Sequence, residues 1–199
     1  PTVWHLMGLS ALQATDPKTA YRHFLKSIEH DPNYIPAHWS LAQLEQARGK
    51  ATAARGHYRE ILRLDPDHTE VRLALARLEI GDGHPERATV VLENLLSAQP
   101  LAVDAARLLS KLQLNAGKIA TASATIEQAW KHSPTLDLSV EFADLLIAGG
   151  HYRRVVEVLT NSVDPDDPRI SARLHIARAF VGEGSLASTL LQTPAQTSS

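Results

Sequence analysis

IPAHWSLAQLEQARGKATAARGHYREILRLDPDH, residues 35–68, contains two runs of apolar residues at helical spacing, a break at Gly49 between them, and an Asp65-Pro66-Asp67 stop. Leu41, Ala42 and Leu44 mark the first run, and Ala54, Tyr58, Ile61 and Leu62 mark the second. Apolar positions three and four apart lie on one face of a helix, so the stretch predicts two helices joined by a tight turn. Outward from it the same arrangement recurs. Pro32, Pro66, Pro100, Pro134 and Pro168 are evenly spaced, and Gly49, Gly83 and Gly117 keep the same step. Self-similarity at a period of about 34 residues predicts a solenoid, in which each helix pair buries its apolar face only by stacking on its neighbours.

The predicted units are 1–34, 35–68, 69–102, 103–135 and 136–169, with a partial unit at 170–192. Together they are expected to form one array spanning 1–192, followed by a small, polar, disordered tail at 193–199. Asp16-Pro17 supplies an N-cap and first-turn proline, and Pro85 opens another helix. Trp4, Met7, Gly8 and Leu12 are expected on the packing face of the first helix. Small residues at Gly8, Ala42, Ala76 and Ser110 are expected to meet Ala20, Ala54, Ala88 and Ala122 where the helices of a pair cross. A larger side chain at such a crossing typically costs about 1 to 3 kcal/mol. The fifth unit slips: Gly150 comes one position early after Gly117, and the missing position is regained in the turn before Pro168. The final unit is expected to break before Gly184 and to close with a short helix over 185–192.

This pattern resembles the tetratricopeptide repeat. The residues that carry the likeness are Trp4, Met7, Gly8, Ala20, Phe24 and Pro32, then Leu41, Ala42, Gly49, Ala54, Tyr58 and Pro66, and then Leu75, Ala76, Gly83, Ala88, Leu92 and Pro100. Glu45 and Glu79 stand where the family often has a large residue. The resemblance implies an all-α, right-handed superhelix of about 5.5 stacked antiparallel helix pairs, whose concave face is lined by the first helices. Its implied role is a non-catalytic scaffold that binds a protein or peptide.

Composition excludes several other classes. The 199 residues carry a formal charge of -2 with both signs interspersed, so bulk attraction to nucleic acid is not expected. Cysteine is absent, which removes disulfides and thiol chemistry. No apolar run approaches the length of about 18 residues that marks a bilayer-spanning helix, so no membrane insertion of this segment is expected. The ten histidines form no His-Glu-x-x-His or paired i, i+4 arrangement. No glycine-rich phosphate loop or Gly-x-Ser-x-Gly elbow occurs, and Gly81-Asp82-Gly83 is expected as a helix C-terminal turn. Neither a cofactor nor a metal is expected. The chain starts at Pro1 within a unit and is expected to be part of a longer protein.

The candidate site is therefore the concave stripe: His5, Leu9, Trp39, Gln43, Arg77, Arg107, Lys111 and Asp144. Trp39 flanked by His5 and Leu9 would anchor an apolar residue, and Arg77, Arg107 and Lys111 would meet an acidic group. The competing reading packs Trp39 between helices and pairs the basic residues with Glu70, Asp104 and Asp144. Of the family's clamp for chaperone tails only Arg77 matches, with His5, Leu9, Ser40 and Leu73 in the other places, so chaperone-tail binding is not expected. The helix cores are similar to those of bacterial repeat proteins of pilus biogenesis, secretion and exopolysaccharide export, which implies a periplasmic or cytoplasmic setting. The alternatives are a substrate-recruiting region of an enzyme such as a glycosyltransferase, and self-association through the C-terminal face of Leu174, Phe180, Leu186, Leu190 and Leu191.

Overall fold

The computed structural model describes residues 1–160, 164 and 167–192, with side chains followed to residue 182. Among the described residues there are eleven α-helices and no strand. They are α1 (Thr2–Gln13), α2 (Pro17–His30), α3 (Ile35–Ala47), α4 (Ala51–Leu64), α5 (Thr69–Gly81), α6 (Pro85–Ala98), α7 (Val103–Asn115), α8 (Ile119–His132), α9 (Leu136–Ala148), α10 (Tyr152–Thr160) and α11 (Pro168–Gln192). The chain divides into two units, Pro1–Ala105 and Ala106–Ser199.

The turns explain why the period holds. Gly49, Gly83, Gly117 and Gly150 all have φ between 73° and 81°, a left-handed conformation that costs a side chain-bearing residue free energy. Each sits just past a first helix and lets the next amide reach back to a carbonyl of the last turn. Lys50, His84, Lys118 and His151 N–H donate at 2.8 Å to the carbonyls of Glu45, Glu79, Gln113 and Leu146. The same turn in the first hairpin is made by Thr15, at φ 57°, with Asp16 N–H donating to the Ala11 carbonyl at 2.9 Å. Asp16 caps α2 by accepting from the Thr19 amide at 3.0 Å. The lost residue of the fifth unit falls in the α8–α9 turn, which is one position shorter than the three earlier turns of its kind.

Within each hairpin the helices approach at the expected small residues. Ala42, Ala54, Ala76 and Ala88 are fully buried. Ser110 Oγ donates to the Ala122 carbonyl at 3.3 Å. At Gly8 the nearest side chain is Phe24: a Cβ there would lie 2.4 Å from its ring. Met7 departs from expectation. It is largely exposed, along with Val3 and Leu6, because it lies on the face that, in α3, the preceding hairpin covers. On α3 the matching cluster holds Leu41 and Leu44, against which Tyr21, Leu25 and Ile28 of α2 pack.

Glu45 and Glu79 are not turned to solvent: they are 2% and 4% exposed. Glu79 is held by Arg55 of α4, whose Nε and Nη2 donate to its two oxygens at 2.6 and 3.2 Å, and Arg87 approaches to 3.8 Å. Arg55 also reaches Asp82 at 2.8 Å. Those two carboxylates hold the Arg55 guanidinium even more firmly protonated than usual. Glu45 has a weaker set. Lys50 Nζ lies 3.6 Å from Oε2, an atom without a hydrogen-bond partner, and the carboxylate raises the pKa of the Tyr21 phenol by accepting its hydrogen bond.

The last helix corrects an expectation. No break occurs before Gly184: the backbone of α11 runs unbroken for 25 residues. No proline lies between 169 and 192 to stop it, and an interior glycine costs a helix only about 1 kcal/mol. The turn residues 161–163, 165 and 166, the tail 193–199, and the side chains of Leu186, Leu190 and Leu191 lie outside the described residues. No helix among the described residues is long and apolar enough to cross a membrane.

Candidate functional site

In the first unit, α3 and α5 border a groove of about 530 Å³ with Tyr58 of α4 behind it. Trp39, Gln43 and Gln46 are at i, i+4 and i+7 on α3, which places them in one row. Ala74 and Arg77 of α5 form the opposite wall. Trp39 is half-buried. Tyr58 meets its ring edge-on at 5.7 Å, and His68 stacks on it at 6.4 Å with the planes 9° apart. Packing thus fixes the indole's orientation while part of it faces the groove. The Tyr58 hydroxyl donates to Gln46 Oε1 at 3.1 Å, and burial pushes the phenol up. Arg77 is exposed and has no ion-pair or hydrogen-bond partner among the described residues. A neighbouring cleft of about 220 Å³, with Gln46, Leu78 and Asp82 on its walls, also borders Arg77. Asp82 itself is taken by Arg55.

The second unit brings together Arg107, Lys111 and Asp144 around a hollow of about 190 Å³, with Leu114 and Glu141. Here the charges are mostly satisfied within the fold. Arg107 Nε donates to Glu141 Oε2 at 3.1 Å, and Arg173 of α11 makes a two-pronged contact with Asp144 at 2.7 and 2.6 Å. The competing reading pairs the basic residues with Glu70, Asp104 and Asp144; among the described residues Arg107 pairs instead with Glu141, and Asp144 with Arg173. Lys111 has no partner among the described residues.

Two predicted residues join neither groove. His5 is a packing residue: Nε2 lies 3.0 Å from Ser40 Oγ, and its ring sits between Phe24 and Tyr34 at 5.3 and 5.6 Å. Burial lowers its pKa, partly offset by a backbone hydrogen bond at Pro36. Leu9 is exposed on α1 and lines none of these hollows. Sequence reasoning missed Tyr58 and Ala74 as groove walls and Glu141 and Arg173 as the groups that tie up the second hollow. A register count would have found Ala74, three positions before Arg77 on the same face.

Two further histidines serve packing in the same way. His38 is buried, and its Nε2–H donates to the Pro32 carbonyl at 2.8 Å, which leaves Nδ1 as an acceptor. His57 Nδ1 lies 3.1 Å away and is therefore the donor to it. Burial first, and the neighbouring His38 second, lower the His57 pKa. Among the described residues no group of three or more acidic or histidine side chains is placed to hold a metal ion.

The sequence pattern of the tetratricopeptide repeat matches residues 11–78 and again 45–112, together just over half of the sequence. The chain belongs to the tetratricopeptide repeat family. Tetratricopeptide repeat structures similar to it include PilF of Pseudomonas aeruginosa, at 20% identity and a TM-score of 0.63 over 98% of this chain and 92% of that one. MamA of Desulfovibrio magneticus RS-1 is similar at 15% identity and a TM-score of 0.62, over 83% of this chain and 94% of that one. YrrB, described as a protein of this family with an unusual peptide-binding site, is similar at 14% identity and a TM-score of 0.59, over 88% and 90%. At these identities the likeness shows the fold. No curated protein matches the sequence significantly. The tetratricopeptide repeat is a fold that typically serves as a non-catalytic scaffold for protein interaction.

Proposed function

We propose that this chain binds a peptide segment of a partner protein in the α3–α5 groove, with an apolar side chain against Trp39 and a carboxylate on Arg77. The observation that carries this reading is the guanidinium of Arg77, unpaired among the described residues, across a groove of about 530 Å³ from a half-buried indole. A cation left unpaired beside a fixed aromatic offers a ligand both a charge-assisted hydrogen bond and apolar contact area, and Gln43 and Gln46 add donors and acceptors for a peptide backbone. No reacting group is required of the chain. The peptide-binding site ascribed to YrrB supports the class of activity.

Selection from a displayed library of short random peptides tests the proposal. Enriched sequences should pair an acidic residue with an aromatic or large aliphatic one. Arg77→Glu should weaken the best of them about tenfold or more, the scale of a hydrogen bond to a charged group. Peptides that bind equally well after Arg77→Glu, with helicity preserved, would remove the groove as the site.

A further inference from the structure

We propose that Gln46 makes the α3–α5 groove read a carboxylate and refuse the matching amide, an inference that rests on the groove taking a peptide as above. The Gln46 side-chain amide donates to one oxygen of the peptide's Asp or Glu while Arg77 holds the other. Tyr58 is a positioning residue, whose hydroxyl sets which way the Gln46 amide faces.

The repeat register singles out this pair. Gln46 of α3 and Tyr58 of α4 have counterparts in the other four hairpins: Leu12 and Phe24, Ile80 and Leu92, Leu114 and Ile126, Ile147 and Leu159. Phe24, Leu92, Ile126 and Leu159 are buried, as Tyr58 is. Leu12 packs against the cluster that holds Phe24, and Leu114 and Ile126 share the wall of the second hollow. Apolar side chains thus fill this place in four hairpins, so the fold asks for neither a hydroxyl nor an amide there. The hairpin that carries both is the one that presents Trp39 to the groove.

Hydrogen bonding then fixes what Gln46 can offer. Its Oε1 accepts from the Tyr58 hydroxyl at 3.1 Å, and burial of that phenol keeps its proton in place. With the oxygen committed, the exposed end of Gln46 is an NH₂ group, which donates and cannot accept. Gln46 and Arg77 both border the groove and the neighbouring cleft, so a group seated where the two meet finds donors on the α3 wall and on the α5 wall. Asp82, the acid of that cleft, is held by Arg55 at 2.8 Å. A carboxylate satisfies both walls with its two oxygens. An amide has one oxygen and must turn its own N–H group toward a donor, which leaves both unpaired. Holding Gln46 beforehand also spares the side-chain freedom that an exposed glutamine would lose on binding.

Calorimetry on the full chain tests this with two probes: the selected peptide most dependent on Arg77, made with both ends capped, and the same peptide with its Asp or Glu replaced by Asn or Gln. The native chain should favour the acidic peptide by about a hundredfold, and Gln46→Leu should lower that preference about tenfold, the scale of one hydrogen bond to a charged group. Tyr58→Phe, which copies Phe24, should lower it about threefold, the scale of a neutral hydrogen bond. It should do so by strengthening the amide peptide, because an unheld Gln46 can turn its oxygen toward the ligand. The double variant copies the Leu12 and Phe24 pair, should keep its helicity by circular dichroism, and should match Gln46→Leu alone, since Tyr58 acts only through Gln46. A preference unchanged in Gln46→Leu, or a Tyr58→Phe chain that weakens both peptides alike, overturns the proposal. If Arg77→Glu abolishes binding while the preference ignores Gln46, the groove stands and the role of Gln46 falls. If no peptide depends on Arg77, both fall together.

Discussion

The two grooves share one register and differ in chemistry. Gln43, Arg77, Lys111 and Asp144 occupy the same place in successive first helices, as do Trp39, Leu73, Arg107 and Val140. In the first unit this puts an indole across from a guanidinium that is unpaired among the described residues. In the second it puts Arg107 where the indole would be, tied to Glu141, and Asp144 tied to Arg173. The difference teaches that a repeat fixes where a side chain points, while the neighbouring helix decides whether its charge is free for a ligand.

The largest expected effect is on the packing beneath the first groove. Arg55→Ala removes the main partner of Glu79, a carboxylate 4% exposed, and leaves only Arg87 at 3.8 Å. Stranding a buried charge in this way costs about 3 kcal/mol, read as a lowered urea midpoint. In the second unit Arg154→Ala breaks a more exposed pair with Glu127, for which about 1 kcal/mol or less is expected. Equal losses would show that burial does not separate the two regions.

Binding comes next. Arg77→Glu should cost a selected peptide about 2 kcal/mol, measured by calorimetry, whereas Arg107→Glu should change it less than twofold. Glu141→Gln sharpens the contrast. Lys111 already lines that hollow without a partner among the described residues but with no indole across from it, so acidic peptides should bind there only weakly, and freeing Arg107 beside it should raise that affinity. A native second hollow that binds such peptides as tightly as the first would break the comparison.

Acid should act on the first unit, which holds both His5 and His57. Each has its pKa lowered by burial, so each takes a proton more readily in the unfolded chain. The stability they contribute is whole above about pH 6.5, the unfolded value, and is lost as the pH falls through the folded one. The urea midpoint should drop between pH 7.5 and 5.5, and His57→Gln should flatten that drop. A midpoint constant over this range would contradict the direction of both shifts.

The fold was legible because it rests on backbone demands that few residues meet. Glycines at a left-handed φ, a proline in each turn between hairpins, and an alanine at each crossing repeat in phase, so local choices agree with the global arrangement. The groove was legible in part: Trp39, Gln43 and Arg77 do share a hollow, since helical spacing aligns the first two and the repeat period brings Arg77 beside them. His5 was misread because a half-buried ring between Phe24 and Tyr34 has the same spacing as one facing solvent. The Arg107–Glu141 and Asp144–Arg173 pairs were not legible. Side chains so far apart in sequence meet only once two helices are set beside each other, and long charged side chains choose among several carboxylates within reach. The continuous course of α11 escaped because a glycine weakens a helix without ending it.

The smallest expected effect concerns the one hairpin turn that departs from the rest. Thr15 stands in the register of Gly49, at φ 57°, where a β-branched residue is disfavoured by about 1 to 2 kcal/mol. Glycine there loses the strain but adds freedom to the unfolded chain, which returns about 0.4 to 1 kcal/mol. Thr15→Gly should therefore raise stability by roughly 0.5 to 1 kcal/mol, seen as a higher thermal midpoint. Gly117→Thr makes the reverse change in the α7–α8 turn, where no atom lies within 4 Å of an added Cβ, so backbone strain alone should lower the midpoint by a similar amount. A Thr15→Gly chain that is less stable, beside a Gly117→Thr chain that is too, would mean that the Thr15 side chain holds the first hairpin in a way its backbone angle does not reveal.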